Sequence, residues 1–222
     1  LLIESFRRVQ LVNPGFRAEN LLVMQISLPA FRYPQPEPAR AFYMQALEAI
    51  RALPGVQSAA VISSLPWSGP MQSGSFGIEG RQTPPGQPAP HGDRWIASEG
   101  YFETMQIPLR EGRFFNARDN ADAPMVTIVD EALARRYWPN ESPVGKRISF
   151  QNGMREIVGV VGHVRHQSLD GAEDRVQYYA PLLQVPVTNT YVAVRTPGNP
   201  TQLAGSVREA IRSVDKDLPV FR

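Results

Sequence analysis

Thr190-Tyr-Val-Ala-Val-Arg195, then Asn199-Pro200, then Leu203, Val207, Ala210, Ile211 and Val214 spell out a strand, a capped start and an amphipathic helix. The alternation of 190–195 suits a half-buried strand, and the i, i+4, i+7 spacing after it suits one helix face. Asn199 offers a side-chain oxygen to the first free amides, and Pro200 presets φ for the first helical position. Leu218-Pro-Val-Phe221 then resumes an extended run. The other end of the chain has the same grammar. Leu21 to Leu28 reads as a buried strand stopped by Pro29, and a turn rich in proline (Pro34, Pro36, Pro38) follows. Phe42, Ala46, Ala49, Ile50 and Leu53 mark a helix face that Pro54-Gly55 ends, and Val56 to Ser63 is the next strand. Phe42/Leu203, Ala46/Val207, Ala49/Ala210, Ile50/Ile211 and Leu53/Val214 keep one constant offset, which points to a duplicated β-α-β unit. Ahead of it, Leu2, Phe6 and Val9 give residues 1–12 an amphipathic helical pattern that Asn13-Pro14-Gly15 stops.

The residues between the two units read differently. Positions 65–90 are rich in Pro, Gly and Ser and suggest a long loop around one strand, Ser75-Phe-Gly-Ile-Glu79. Long irregular segments inside compact domains tend to carry function. Strand patterns follow at 94–98, 126–129, 145–150 and 156–164, with short helices at 100–105 and 131–137. The expected fold class is α+β. Residues 1–65 plus 176–222 form a split outer unit of two β-α-β motifs, and 66–175 form an inserted, mostly β block.

Composition narrows the function. The chain has 222 residues, 42% hydrophobic and 20% charged, with a formal net charge of +2. That balance suits a folded globular protein and provides no basic footprint for nucleic acid, so none is expected as a partner. Its only lysines are Lys146 and Lys216; the other basic residues are arginines spread among acids. With 0 cysteines, disulfides, thiolate metal sites and cysteine nucleophiles are excluded. The 21 prolines fall largely at element ends and in the 65–90 loop. No stretch approaches the roughly 17–25 apolar residues of a membrane span. A chain that starts at Leu1 and ends in mid-pattern at Arg222 reads as a piece of something larger.

Catalytic signatures are missing. Val144-Gly-Lys-Arg147 has a Gly-Lys pair without the spacing or the hydroxyl of a P-loop, and Gly159-Val-Val-Gly162 reads as a close-packed strand. No G-x-S-x-G elbow occurs. His163-Val-Arg-His166 follows a strand without a third ligand, so a metal site is not expected. Glu99, Glu103, Glu111, Asp119 and Asp122 cluster in sequence and would form a hydrolytic pair only if folding brought two of them together; solvated loop charges are the simpler reading. No catalytic, cofactor-binding or metal-ligating residue is assigned. Trp67, Met71 and Phe76 are the candidates for partner contact, as large apolar groups in a Pro/Gly loop, with burial against the core as the alternative. Trp95, Tyr101, Phe102, Phe114, Phe115, Tyr137 and Trp138 are expected in the core.

An ordered series of short motifs runs through the middle block. It comprises Gly100-Tyr-Phe-Glu-Thr-Met105, Ile107-Pro-Leu109, Gly112-Arg-Phe-Phe115, Val129 to Pro139 (VDEALARRYWP), Pro143-Val-Gly-Lys-Arg-Ile148, Ile157-Val-Gly-Val-Val-Gly162 and Asp217-Leu-Pro-Val220. Together they resemble the MacB-like periplasmic core domain of ABC-type permeases, most nearly the branch of duplicated orphan permeases. The resemblance implies a split porter-like subdomain enclosing a Sabre-like inserted one. It implies a place on the extracytoplasmic, periplasmic side of the bacterial inner membrane, between two transmembrane helices absent here, with residues 1–12 extending the first. It further implies a non-catalytic role coupling cytoplasmic ATP-driven motion to export or to substrate handling outside. A second permease copy or subunit, a separate ATP-binding subunit and a periplasmic adaptor are the implied partners. The alternative is an extracytoplasmic binding module that captures a peptide, lipid or adaptor through the 65–90 loop.

Overall fold

In the computed structural model, residues 14–66, 72–151, 153–166, 175–218 and 220–221 are described. The expected helix over 1–12 and two of the candidate contact residues, Trp67 and Met71, lie outside them. β1 (Leu21–Ser27) alternates as its sequence suggests, burying Leu22, Met24 and Ile26 on one face. α1 (Pro36–Arg51) opens with proline in its first turn and buries Phe42, Tyr43, Ala46, Leu47 and Ile50. β2 (Ser58–Ile62) completes the first β-α-β unit. The second is β11 (Asn189–Arg195), a 3₁₀ turn (Pro200–Leu203), α4 (Ala204–Val214) and β12 (Val220–Phe221). Asn199 caps the turn as expected, its Oδ1 accepting from the Thr201 amide at 3.0 Å.

The two units interleave. β11 lies between β1 and β2 and is antiparallel to both, so β1 and β2 run parallel with one strand between them. β12 pairs antiparallel with the outer edge of β1, giving the order β12-β1-β11-β2 of a split β-α-β sheet. Both long helices cover the same face, where Met24, Ile26, Val192 and Val194 pack beneath Ala46, Ile50, Val207 and Ile211. The last four stand at matching offsets in the two helices, so the duplication seen in sequence is a duplication of buried positions.

The inserted block continues the same sheet. It contains β3 (Ser73–Ser75), β4 (Gly77–Ile78), β5 (His91–Ala97), α2 (Tyr101–Met105), β6 (Leu109–Gly112), β7 (Val126–Asp130), α3 (Glu131–Tyr137), β8 (Arg147–Phe150), β9 (Gly153–Val161) and β10 (Gln177–Pro181). The strand order β12-β1-β11-β2-β5-β10-β7-β9-β8-β4 runs through both parts, with β3 on β5 and β6 on β9. β10 sits between β5 and β7, so its ladder bonds are made on the inserted side although the expected boundary at 176 groups it with the outer unit.

The seam between the parts is narrow. β2 and β5 share the single register pair Ile62↔Ala97. Serine hydroxyls extend the ladder there: Ser98 Oγ accepts from the Val61 amide at 2.8 Å, and Ser63 Oγ from the Ile96 amide at 3.0 Å. A second core lies on the opposite face of the sheet, where Trp95, Tyr101, Phe102, Met105, Ile128 and Tyr179 cover Ala60, Ile62 and Ala193.

The single strand expected at 75–79 is instead two, β3 on β5 and β4 on β8. Between them Phe76 turns inward, 2% exposed, its ring edge-on to Tyr137 and Tyr178 at 5.5 and 5.4 Å. Of the three candidate contact residues, this one is therefore core: burying the ring against two aromatics outweighs continuing one ladder.

Candidate functional site

The residues with the most polar organisation gather where β7, β9 and the segment before β1 meet. Asp130 ends β7 fully buried and caps α3, its Oδ1 accepting from the amides of Leu133 (2.8 Å) and Gln177 (3.0 Å). Its Oδ2 lies 2.5 Å from His163 Nδ1. Gln177 Nε2 donates to the Val164 carbonyl at 2.5 Å, and the Tyr179 hydroxyl donates to Gln177 Oε1 at 3.1 Å. The network ties the chain leaving β9 to the end of β7. A histidine on a buried carboxylate can move a proton, but no Ser, Thr or Cys is among the described residues lining the groove outside it.

That groove has a volume of about 500 Å³ and is lined by Arg17, Gln106, Arg110, Glu131, Arg135 and Arg165 among others. Arg110 Nε donates to Glu131 Oε2 at 3.1 Å, and Arg135 approaches the same oxygen at 3.9 Å. Both arginine side chains are more than half exposed. Gln106 ends α2 in the left-handed region (φ 55°), where a side chain is disfavoured and glycine usual.

A buried arginine fixes one wall of this groove. Arg195, 5% exposed at the end of β11, donates to three carbonyls: Thr104 at 2.6 Å, Glu19 at 2.7 Å and Arg17 at 2.7 Å. Burial lowers its pKa and neighbouring Glu19 acts in the opposite sense. Residues 17–19, the end of α2 and β11 are thus held by one guanidinium, whose rigid fork matches several acceptors at once. The leading segment is also held by two backbone bonds, Arg17 N to Met105 O and Arg165 N to Pro14 O, each 2.9 Å. Gly15 (φ 89°) packs so closely on the His163 carbonyl that no Cβ fits.

The other candidates disperse. His163 and His166 diverge: His166 stacks on Trp95 with centroids 4.0 Å apart and is 6% exposed. Burial, and to a lesser degree His163, lowers its pKa to about 3. Among the carboxylates, Asp119 is committed to a bidentate pair with Arg113 at 2.7 and 2.8 Å, Glu111 bonds the Ser142 hydroxyl, and Glu99, Glu103 and Asp122 are exposed. Part of the 65–90 loop lines a second groove of about 480 Å³ with Arg136 and Tyr137 of α3. The Arg195 clamp and the Asp130 network were not anticipated. A charged residue closing an alternating strand was the only available signal, because main-chain acceptors leave no mark in sequence.

The fold is a split β-α-β unit carrying a β-rich insertion on the same sheet. The chain belongs to the MacB-like periplasmic core domain family, whose sequence profile matches residues 7–210. Among curated proteins it is 29% identical over 87 residues to the macrolide export ATP-binding/permease protein MacB of Mannheimia succiniciproducens. That match covers 39% of this chain and 13% of the relative. It is 36% identical over 56 residues to the MacB of Marinobacter nauticus, 25% of this chain and 9% of that one. The chain thus matches only a small part of these relatives' length. Among solved structures, the periplasmic region of MacB from Actinobacillus actinomycetemcomitans has the same fold, with TM-score 0.61, 16% identity, and coverage of 97% of this chain and 94% of that one. The extracellular domain of the noncanonic ABC-type transporter YknZ from Gram-positive bacteria matches with TM-score 0.56 and 17% identity, over 91% of this chain and 100% of that one. Among the described residues no helix is long and apolar enough to cross a membrane.

Proposed function

We propose that this domain is the extracytoplasmic lever of an ABC transporter permease, carrying motion driven by a separate cytoplasmic ATP-binding subunit to the outer face of the membrane. The observation that carries the reading is the Arg195 clamp, which fastens the segment leading into β1 to the body of the fold. A lever needs its attachment to move as one with the body. The pairing of β12 with β1 supports the same reading: chain leaving β12 heads toward the end of β1 where the leading segment arrives. Residues 1–65 with the C-terminal unit would form the porter-like part and the residues from 66 to β10 the inserted one. A second permease copy and a periplasmic adaptor are the partners this role requires.

The test is Arg195→Ala in the parent permease. ATP hydrolysis should persist while substrate export falls. Export at the unaltered level from a properly inserted, folded variant would overturn the role.

A second reading, a binding module for a peptide, lipid or adaptor, is favoured by the groove that Pro84, Pro88 and Tyr137 line. Replacing residues 82–88 by a Gly-Ser linker should then abolish partner capture and leave the thermal midpoint intact. Unchanged capture would remove this loop from consideration.

A further inference from the structure

We infer that the groove between the leading segment, β6 and α3 is a binding site for a phosphate-bearing anion. Three arginines from separate parts of the chain converge on it: Arg17 ahead of β1, Arg110 in β6 and Arg135 in α3. Among the described residues that line it, Glu131 is the only carboxylate. Over the whole chain 23 basic residues are set against 21 acidic ones, whereas in this concavity Arg17, Arg110 and Arg135 are set against Glu131. Like charges brought together raise the free energy of the fold unless an opposite charge offsets them. Glu131 serves both Arg110 and Arg135 through one oxygen, which uses one Nε–H of Arg110 and leaves most donors of each guanidinium directed elsewhere.

The chemistry of the ligand follows from the donors. Guanidinium forks match tetrahedral oxyanions with paired hydrogen bonds, and phosphate monoesters and diesters suit them best. A volume of about 500 Å³ lies inside the range of roughly 300–1,000 Å³ typical of small-molecule clefts, well beyond a bare phosphate ion. The ligand is therefore a phosphate carrying a further group, either a soluble phosphoester or the headgroup of an anionic lipid. The wall made by residues 15–17 is held by Arg195 and by the bond from Arg17 N to Met105 O, so Arg17 is presented from a fixed backbone. This site does not depend on the lever role. Anion binding is a property of the isolated chain, whereas the lever is tested by transport.

The experiment compares the unaltered chain with R17Q/R110Q and with R118Q/K216Q, a variant that loses equal charge from exposed positions elsewhere. One arm titrates glycerol 3-phosphate by calorimetry. The other measures co-flotation with phosphatidylglycerol/phosphatidylcholine vesicles against phosphatidylcholine alone. Thermal midpoints of all three proteins establish that each is folded. In at least one arm the unaltered chain and R118Q/K216Q bind alike, while R17Q/R110Q binds about tenfold more weakly or worse. Binding in the calorimetric arm alone assigns a soluble phosphoester, and binding in the vesicle arm alone assigns a lipid headgroup. Absence of binding in both arms, or equal weakening by the two variants, overturns the site.

Discussion

Arg195 makes three bonds to main-chain carbonyls, so removing it orphans three acceptors at once. A single hydrogen bond to a charged group contributes about 1.5–3 kcal/mol, and Arg195→Ala should cost at least that much, read from the urea midpoint. Limited proteolysis should find the bond after Arg17 newly open. His166 gives a pH dependence with a definite sign. Its folded pKa is about 3, below the 6.5 of the unfolded side chain, so between those values the unfolded chain takes up a proton that the native chain refuses. Stability from this group is complete above 6.5 and falls as pH drops toward 3, by up to about 1.4 kcal/mol per pH unit. His166→Phe keeps a ring to stack on Trp95 and removes the proton site. Its stability should decline less than that of the parent between pH 7 and pH 4, and an identical decline would show that other groups dominate. Neither residue announced its role in sequence. His166 stands in a short motif that follows a strand and offers no third metal ligand, and only the fold turns its ring onto Trp95 while His163 goes to Asp130.

At the scale of elements, the duplicated helices make a matched prediction. Ile50 and Ile211 are both fully buried at corresponding positions, so Ile50→Ala and Ile211→Ala should each cost about 2–5 kcal/mol in chemical denaturation. A large difference between them would mean that the two units do not share the core equally. Both β-α-β units were readable because surface helices and half-buried strands write their period directly into hydrophobic spacing. Where that period is absent, reading failed. β10 is buried at every position, so Gln177-Tyr-Tyr-Ala-Pro181 shows no alternation. β6, Leu109-Arg-Glu-Gly112, is exposed throughout and held by pairing with β9. Gly112 and Gly159 face each other there, and a Cβ on either would collide with the opposite backbone, a constraint invisible until the strands meet. The groove arginines were seen only as scattered surface charge for the same reason: positions 17, 110 and 135 become neighbours through topology alone.

Across the whole molecule, the sheet is thinnest at the seam, where β2 and β5 share the one register pair Ile62↔Ala97. Its ladder bonds, Ser63 N to Ile96 O and Ser98 N to Val61 O, are 2.9 and 2.8 Å long and are supplemented by the two serine hydroxyls. Ser63→Ala with Ser98→Ala leaves the Val61 and Ile96 amides without those acceptors, costing about 1–3 kcal/mol for each group left unsatisfied. Amide exchange should accelerate along β2 and the end of β5 before it does in β1 or β9. Uniform acceleration over the sheet would instead mean that the seam opens only with global unfolding. One further consequence lies in the register itself. Ile62, at the end of β2, stands directly opposite Tyr191 in β11, so the long excursion between them begins and ends at one rung of the ladder. A two-residue turn of the Asn-Gly kind could close that rung as an ordinary hairpin, and the four outer strands with their two helices would remain a topologically complete miniature protein.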